Sequence, residues 1–220
     1  MTKIIQVSIL DDHQTILDGY RFRLDSSKKV KIVATMTFGS DVEDTLKKYP
    51  TDVLVLDINV PTSQENSNPY PILYLIPSLL QKYPNLAILV ISMHTDRSLI
   101  RSVMEAGASG YILKDDKIML MDIENVIISI AAGEISLSQE IDSILLQPNM
   151  NEVVSLSQRQ KEVLSLSLAF PDDTTAELAK KMSIANSTVR NLLSGAYIKL
   201  GVRTRVAAIA KARKLGILTA

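Results

Sequence analysis

DVLVLD, residues 52–57, sets four apolar residues between two aspartates. The run is short enough for a strand and apolar on both alternating faces, as a strand covered on both sides must be. Four more segments read the same way: IIQVSIL at 4–10, KIVAT at 31–35, LAILVIS at 86–92 and GYIL at 110–113. Helical periodicity fills the intervals at 14–25, 40–48, 70–82, 95–106 and 117–131. Five strand-then-helix repeats require right-handed crossovers and a parallel sheet. The expected fold is α/β, flavodoxin-like and doubly wound, with five parallel strands.

Beyond Gly133 the pattern weakens. QEIDSILLQPNMNEVV at 139–154 carries a proline and two asparagines, and 136–154 is read as a linker. From Leu156 onward only short helical patterns remain, at 158–169, 175–182, 187–199 and 204–214. Ser157 marks one start, Thr174 with Glu177 forms a capping box at another, and Gly201 and Gly216 punctuate the later ends. The chain therefore divides into 1–135, a linker at 136–154, and a small all-α unit at 155–220.

Charge divides the same way. Residues 1–152 hold 13 Lys+Arg and 20 Asp+Glu, a net of −7, whereas 153–220 hold 11 and 4, a net of +7, so the formal total is zero. A basic tail on an acidic body points to a polyanion as partner of the tail alone. The absence of cysteine excludes disulfides and thiolate chemistry and fits a reducing cytoplasm. The N-terminal apolar run is interrupted by Asp11 and is too short to span a membrane. A cytoplasmic location without membrane contact is expected.

Ligand sites in such sheets lie at the carboxyl ends of the strands. There stand Asp11 and Asp12 after the first strand, Asp57 after the third, Ser92 after the fourth and Lys114 after the fifth. Three carboxylates gathered on one rim repel one another unless a cation joins them, and an all-oxygen donor set suits Mg²⁺. A carboxylate flanked by a metal, a hydroxyl and an ammonium is arranged to receive a phosphoryl group. In this reading Asp57 is the nucleophile, Lys114 pairs with the new charge, and Ser92 bonds a phosphoryl oxygen.

LDDH at 10–13, VLVLDINVP at 53–61, VISM at 90–93 and AGASGYILK at 106–114 resemble the signature positions of receiver domains over roughly residues 3–135. The chain is similar to two-component response regulators of the NarL/FixJ family, which carry a LuxR-type output. The resemblance implies that Asp57 is the phosphoacceptor and that Asp11, Asp12 and the backbone carbonyl of Asn59 hold Mg²⁺ with it. It also implies that Ser92 and Tyr111 form a switch pair, Tyr111 rotating into the space Ser92 vacates. The implied phosphodonor is a histidine kinase or phosphotransfer protein. Two departures stand out. INVPTSQENSNPYPI after Asp57 is longer than the usual turn and resembles an expansion in the capsule-regulator subgroup, and Met93 replaces a smaller residue beside the pocket.

The stretch 156–211 resembles the LuxR-type helix-turn-helix, through LSQRQKEVLSL at 156–166, TTAELAKKM at 174–182, STVRNLLSGAYIKLGV at 187–202 and RTRVAAIAKA at 203–212. On a helical wheel Val189, Leu193, Ala196 and Leu200 make the core stripe, leaving Ser187, Arg190, Asn191 and Ser194 facing outward. Such a face suits major-groove reading, with Arg190 for guanine and Asn191 for adenine. Thr188 joins this contact set, and Lys199, Arg203 and Arg205 are placed for phosphates. Ala176, Leu192 and Ala185 replace the lysine, histidine and N-cap serine usual in the family. The expected product is a non-enzymatic, phosphorylation-controlled regulator of double-stranded DNA, homodimeric on activation with a heterodimer as the alternative. A competing reading is a degenerate regulator that works mainly by pairing with another regulator. A phosphatase would need an acid two residues beyond the nucleophile, where Asn59 stands.

Overall fold

A computed structural model of the protein describes residues 3–146 and 155–218. The strands are β1 Ile5–Leu10, β2 Val30–Met36, β3 Val53–Leu56, β4 Pro61–Ser63, β5 Asn66–Pro69, β6 Ala87–Ser92, β7 Gly110–Leu113 and β8 Ser136–Leu137. The helices are α1 Gln14–Leu24, α2 Val42–Lys48, α3 Ile72–Lys82, α4 Arg97–Ala106, α5 Lys117–Met121, α6 Ile123–Ala131, α7 Gln139–Leu146, α8 Gln158–Ala169, α9 Thr175–Met182, α10 Asn186–Leu200 and α11 Arg205–Lys214.

The central sheet is parallel in the order β2-β1-β3-β6-β7-β8. Strands β3 and β6 lie in its middle and are buried along their whole length, which is why their sequences are continuously apolar. One core, on the α3 and α4 side, gathers Leu54, Leu56, Ile76, Ile88 and Ile100, and the other, against α1 and α6, gathers Val7, Leu17, Val55, Leu89 and Ile127. Each of the five expected strands, found as β1, β2, β3, β6 and β7, begins and ends within a residue or two of its sequence-based position.

The sheet has six strands rather than five. The sixth, β8, pairs with β7 and leads into α7, whose Ile141 enters the core that holds Leu113 and Tyr111. Thus residues 136–146 of the expected linker are folded onto the receiver-like unit, and 147–154 fall outside the described residues. Two residues of strand and two turns of helix leave too little periodicity to read. The long segment after Asp57 forms the antiparallel hairpin β4–β5, closed where Tyr70 N–H donates to the Val60 carbonyl at 2.9 Å. Tyr70 lies so close over Gly39 that no β-carbon fits at that position.

Helices α8–α11 enclose a separate apolar cluster built from Leu164, Leu178, Val189, Leu193, Ala196, Leu200 and Ala208. Ser157 with Gln160 and Thr174 with Glu177 form reciprocal capping boxes, and Gly201 ends α10 in the left-handed conformation. No helix among the described residues is long and apolar enough to cross a membrane.

Candidate functional site

Asp11, Asp57, Ser92 and Lys114 each follow the last residue of a parallel strand or complete it, so the sheet itself delivers them to one rim. Lys114 Nζ lies 2.7 Å from Asp11 Oδ2 and 2.8 Å from Asp57 Oδ2. Burial pulls the Lys114 pKa down, but hydrogen bonds and charge from Asp11 and Asp57 outweigh it and hold the ammonium above its ordinary value. Asp12 completes the acidic group at the open edge. Carboxylate oxygens of Asp11, Asp12 and Asp57 and a nitrogen of His13 all lie within 4.8 Å of one another. Asn59 is exposed beside them, its N–H 3.3 Å from Asp57 Oδ1.

Three carboxylates facing one ammonium leave net negative charge in a partly buried pocket, so the donor set fits a hard divalent cation. His13 is the pocket residue that sequence reasoning passed over: its Nδ1 lies 2.7 Å from Asp12 Oδ1 and 3.3 Å from Asp11 Oδ1. Its adjacency to the aspartate pair is the only signal the sequence offered. Met93 is 63% exposed on the loop beyond Ser92.

Ser92 is buried, and its Oγ accepts from the His94 N–H at 3.3 Å. Tyr111 is fully buried, and its hydroxyl donates to the His94 carbonyl at 2.9 Å. Burial raises the Tyr111 pKa, with Ser92 hydrogen bonding opposing it and the Asp57 charge adding to it. In the described conformation the Tyr111 ring lies inside, where its hydroxyl has the His94 carbonyl as partner.

The second constellation lies on α10. Val189, Leu193, Ala196 and Leu200 form the core stripe as the wheel requires, but the opposite face is not open to solvent. It packs against α3 and α4 and the turns beyond them. Ser187 Oγ donates to the Leu80 carbonyl at 3.1 Å, and its N–H to the Pro84 carbonyl at 2.8 Å. Arg190, 7% exposed, donates from Nη2 to the Leu86 carbonyl at 3.0 Å. The Asn191 side-chain nitrogen, in the orientation its neighbours require, donates to the Gly107 carbonyl at 2.9 Å and the Ser187 carbonyl at 3.1 Å. Ser194 is 2% exposed. Only Thr188 of this set stays exposed. The expectation that Ser187, Arg190, Asn191 and Ser194 face outward is corrected in this form: a wheel calculated for one domain cannot include the face of another.

Gly107 shows how close the two units lie. It has φ +115° as the cap of α4, and a β-carbon there would run into Asn191 and Leu80. Several buried polar atoms at or near this seam have no hydrogen-bond partner among the described residues: Tyr83 Oη, Asn186 Oδ1, Arg190 Nε and Ser194 Oγ. Burial without a carboxylate lowers the Arg190 pKa. The remaining candidate cations are engaged too. Lys199 Nζ lies 3.2 Å from Gln160 Oε1, Arg205 donates to the Pro171 and Asp173 carbonyls at 2.6 Å each, and Arg203 forks onto Asp142 of α7, with Nε 2.7 Å from Oδ1.

Comparison with known proteins finds one family match in each half of the chain. Residues 7–124 match the response regulator receiver domain, and residues 154–212 match the bacterial regulatory proteins of the luxR family. The chain is 27% identical to the transcriptional regulatory protein DegU of Brevibacillus brevis, over 96% of this chain and 94% of that one. It is 28% identical to the transcriptional regulatory protein DesR of Bacillus subtilis (strain 168), over 97% and 98%. Among solved structures, two RcsB dimers bound to two parallel DNAs give a TM-score of 0.57 at 24% identity, over 99% of this chain and 100% of that one, a likeness of fold. The chain belongs to the response regulators of the NarL type, in which a receiver domain governs a LuxR-type DNA-binding domain, and is a phosphorylation-controlled transcription regulator.

Proposed function

We propose that Asp57 is the phosphoacceptor, that α10 reads DNA, and that the described conformation is the resting one. The observation that carries this is double: a buried carboxylate paired with Lys114 at one end of the sheet, and a recognition helix whose reading side chains are bonded to the receiver at the other. A histidine kinase or phosphotransfer protein is the donor we assign. An Asp57 oxygen attacks phosphorus, the bond to the donor nitrogen breaks, and the imidazole leaves with the electron pair. Lys114, already held charged between Asp11 and Asp57, then pairs with a phosphoryl oxygen, and the Ser92 hydroxyl donates to another.

Asp11, Asp12, Asp57 and the Asn59 carbonyl would hold Mg²⁺, which when bound supplies positive charge for the phosphoryl oxygens. His13 borders this group. On the DNA side, Arg190 and Asn191 would read bases together with Ser187, Thr188 and Ser194, while Lys199, Arg203 and Arg205 meet phosphates. Each of Ser187, Arg190 and Asn191 gives a side-chain donor to a receiver backbone carbonyl, so DNA and receiver compete for the same groups. We assign a homodimer as the DNA-bound form, as RcsB is on its DNAs, and the cytoplasm as the place of action, since that is where bacterial DNA is met.

The test is to incubate the protein with a small phosphodonor and Mg²⁺, then to follow label on Asp57 and binding to duplex DNA. Label on Asp57 with a rise in DNA affinity is expected. Label elsewhere, or DNA affinity indifferent to it, would overturn the assignment.

A further inference from the structure

The phosphoryl pocket and the docked recognition helix lie at opposite ends of the parallel strands. Asp57 and Lys114 follow β3 and β7 and Ser92 ends β6, whereas Pro84, Leu86 and Gly107 precede β6 and β7. Something must join the two ends. The β8–α7 segment touches both. Ser138 is held to β7 on two sides: its N–H donates to the Tyr111 carbonyl at 3.1 Å, and its Oγ accepts the Leu113 N–H at 3.0 Å. Leu113 is the residue before Lys114. The Ser138 carbonyl in turn accepts the Asp142 N–H at 2.9 Å, one helical turn on.

Asp142 is a buried carboxylate whose side chain is 6% exposed, and its two oxygens are taken by the fork of Arg203, which is 59% exposed at the start of the output domain's last segment. A two-pronged bond from guanidinium to an oxyanion is also how arginine takes a nucleic-acid phosphate. The Asp142 hydrogen bonds raise the Arg203 pKa, as such a pair must. The rest of the seam is under-satisfied, with Arg190 buried away from any carboxylate and with orphaned polar atoms on Tyr83, Asn186 and Ser194. Those unpaired atoms cost the seam stability, and the Arg203–Asp142 pair adds a charge-assisted contact between the two units.

We propose that Asp142 stands in for a DNA phosphate, holding Arg203 on α7 in the resting form, and that Ser138 ties this hold to the end of β7 beside the phosphoryl pocket. The proposal rests on the reading of the described form as the resting one. A shift at Leu113–Lys114 on phosphorylation moves Ser138, and with it the first turn of α7. Arg203 is then released to the phosphate it was withheld from.

The test uses the unphosphorylated full chain. Asp142→Asn keeps the shape and removes the charge. It should raise affinity for duplex DNA about tenfold, the worth of a charge-assisted bond lost from one side of the equilibrium. It should reduce the further gain on phosphorylation by the same factor. Glu140→Gln, an exposed neutralisation on the same helix, controls for simple loss of negative charge. Equal gains from both substitutions would overturn the proposal, as would no gain from Asp142→Asn in a chain whose wild type responds to phosphorylation. A wild type whose DNA binding ignores phosphorylation would instead count against the resting-form reading. Arg203→Lys leaves the receiver core untouched and keeps the positive charge but cannot make the fork. Amide exchange of residues 187–191 should quicken in it, and unchanged exchange there would overturn the latch even if Asp142→Asn failed to fold.

Discussion

Asp57 and Arg190 are both buried charges, and their surroundings explain opposite uses. Asp57 shares Lys114 with Asp11, so removing its charge still leaves the ammonium a partner at 2.7 Å. Asp57→Asn is therefore expected to reduce phosphoryl incorporation to background while changing unfolding stability by less than about 1 kcal/mol, since relief of carboxylate repulsion offsets the lost pair. Radiolabel uptake and thermal unfolding check the two halves separately. Arg190 has a backbone carbonyl and no carboxylate, so the closed form bears a desolvation cost that the open form escapes. Arg190→Met should tighten closure by about 1–3 kcal/mol, read as slower amide exchange along α10, while weakening DNA binding through loss of a base contact. Faster exchange would refute this account. The pocket was legible because strand ends announce themselves: Asp11, Asp57, Ser92 and Lys114 each terminate an apolar run. His13 carried no periodic signal, and the inward position of Tyr111 depends on the His94 carbonyl, a backbone atom that no residue type reveals.

At the scale of the element, α10 illustrates what periodicity can and cannot convey. Its core stripe follows from residue spacing alone, because Val189, Leu193, Ala196 and Leu200 satisfy the output domain's own cluster. Its opposite face is polar whether it meets water, DNA or the receiver, so the sequence is silent on which of them it touches. The same holds for α7 and the β4–β5 hairpin. A two-strand ribbon of three and four residues and a strand of two lie below the length at which alternation can be told from chance. Helices α8–α11 close their own core, so residues 155–220 alone should fold. Freed of Leu80, Leu86 and Gly107, this fragment should bind duplex DNA at least about tenfold more tightly than the unphosphorylated full chain. Its log affinity should fall steeply with log salt, as counterion release by basic side chains requires. Gel shift across a salt series measures both, and a fragment no tighter than the full chain would remove occlusion from the mechanism.

For the whole molecule, charge bounds the mechanism. The receiver half carries −7 and the output half +7, so docking the two places opposite charges together and weakens the pull of DNA on the tail. A phosphoryl group on Asp57 adds roughly −1.5 to −2 more. It cannot draw DNA closer by its field. Its effect has to pass through the balance between closed and open forms, and any such balance is reciprocal: if occupancy of the pocket raises DNA affinity by a factor, DNA must raise pocket affinity by the same factor. The receiver carbonyls of Leu80, Leu86 and Gly107 give this a structural basis, since in the proposed DNA-bound form those bonds are surrendered. Beryllofluoride with Mg²⁺ serves as a reversible phosphoryl mimic, for which equilibrium affinity is measurable. Its dissociation constant should fall in the presence of saturating duplex DNA by the same factor, within about twofold, as DNA affinity rises in the presence of saturating mimic. Titration calorimetry in both directions provides the comparison. In Asp142→Asn both factors should shrink together, because one equilibrium underlies them. Equal factors follow from linkage alone, so the decisive outcome is their size: factors near one in the wild type, or factors that Asp142→Asn leaves undiminished, would exclude coupling through these closed and open forms.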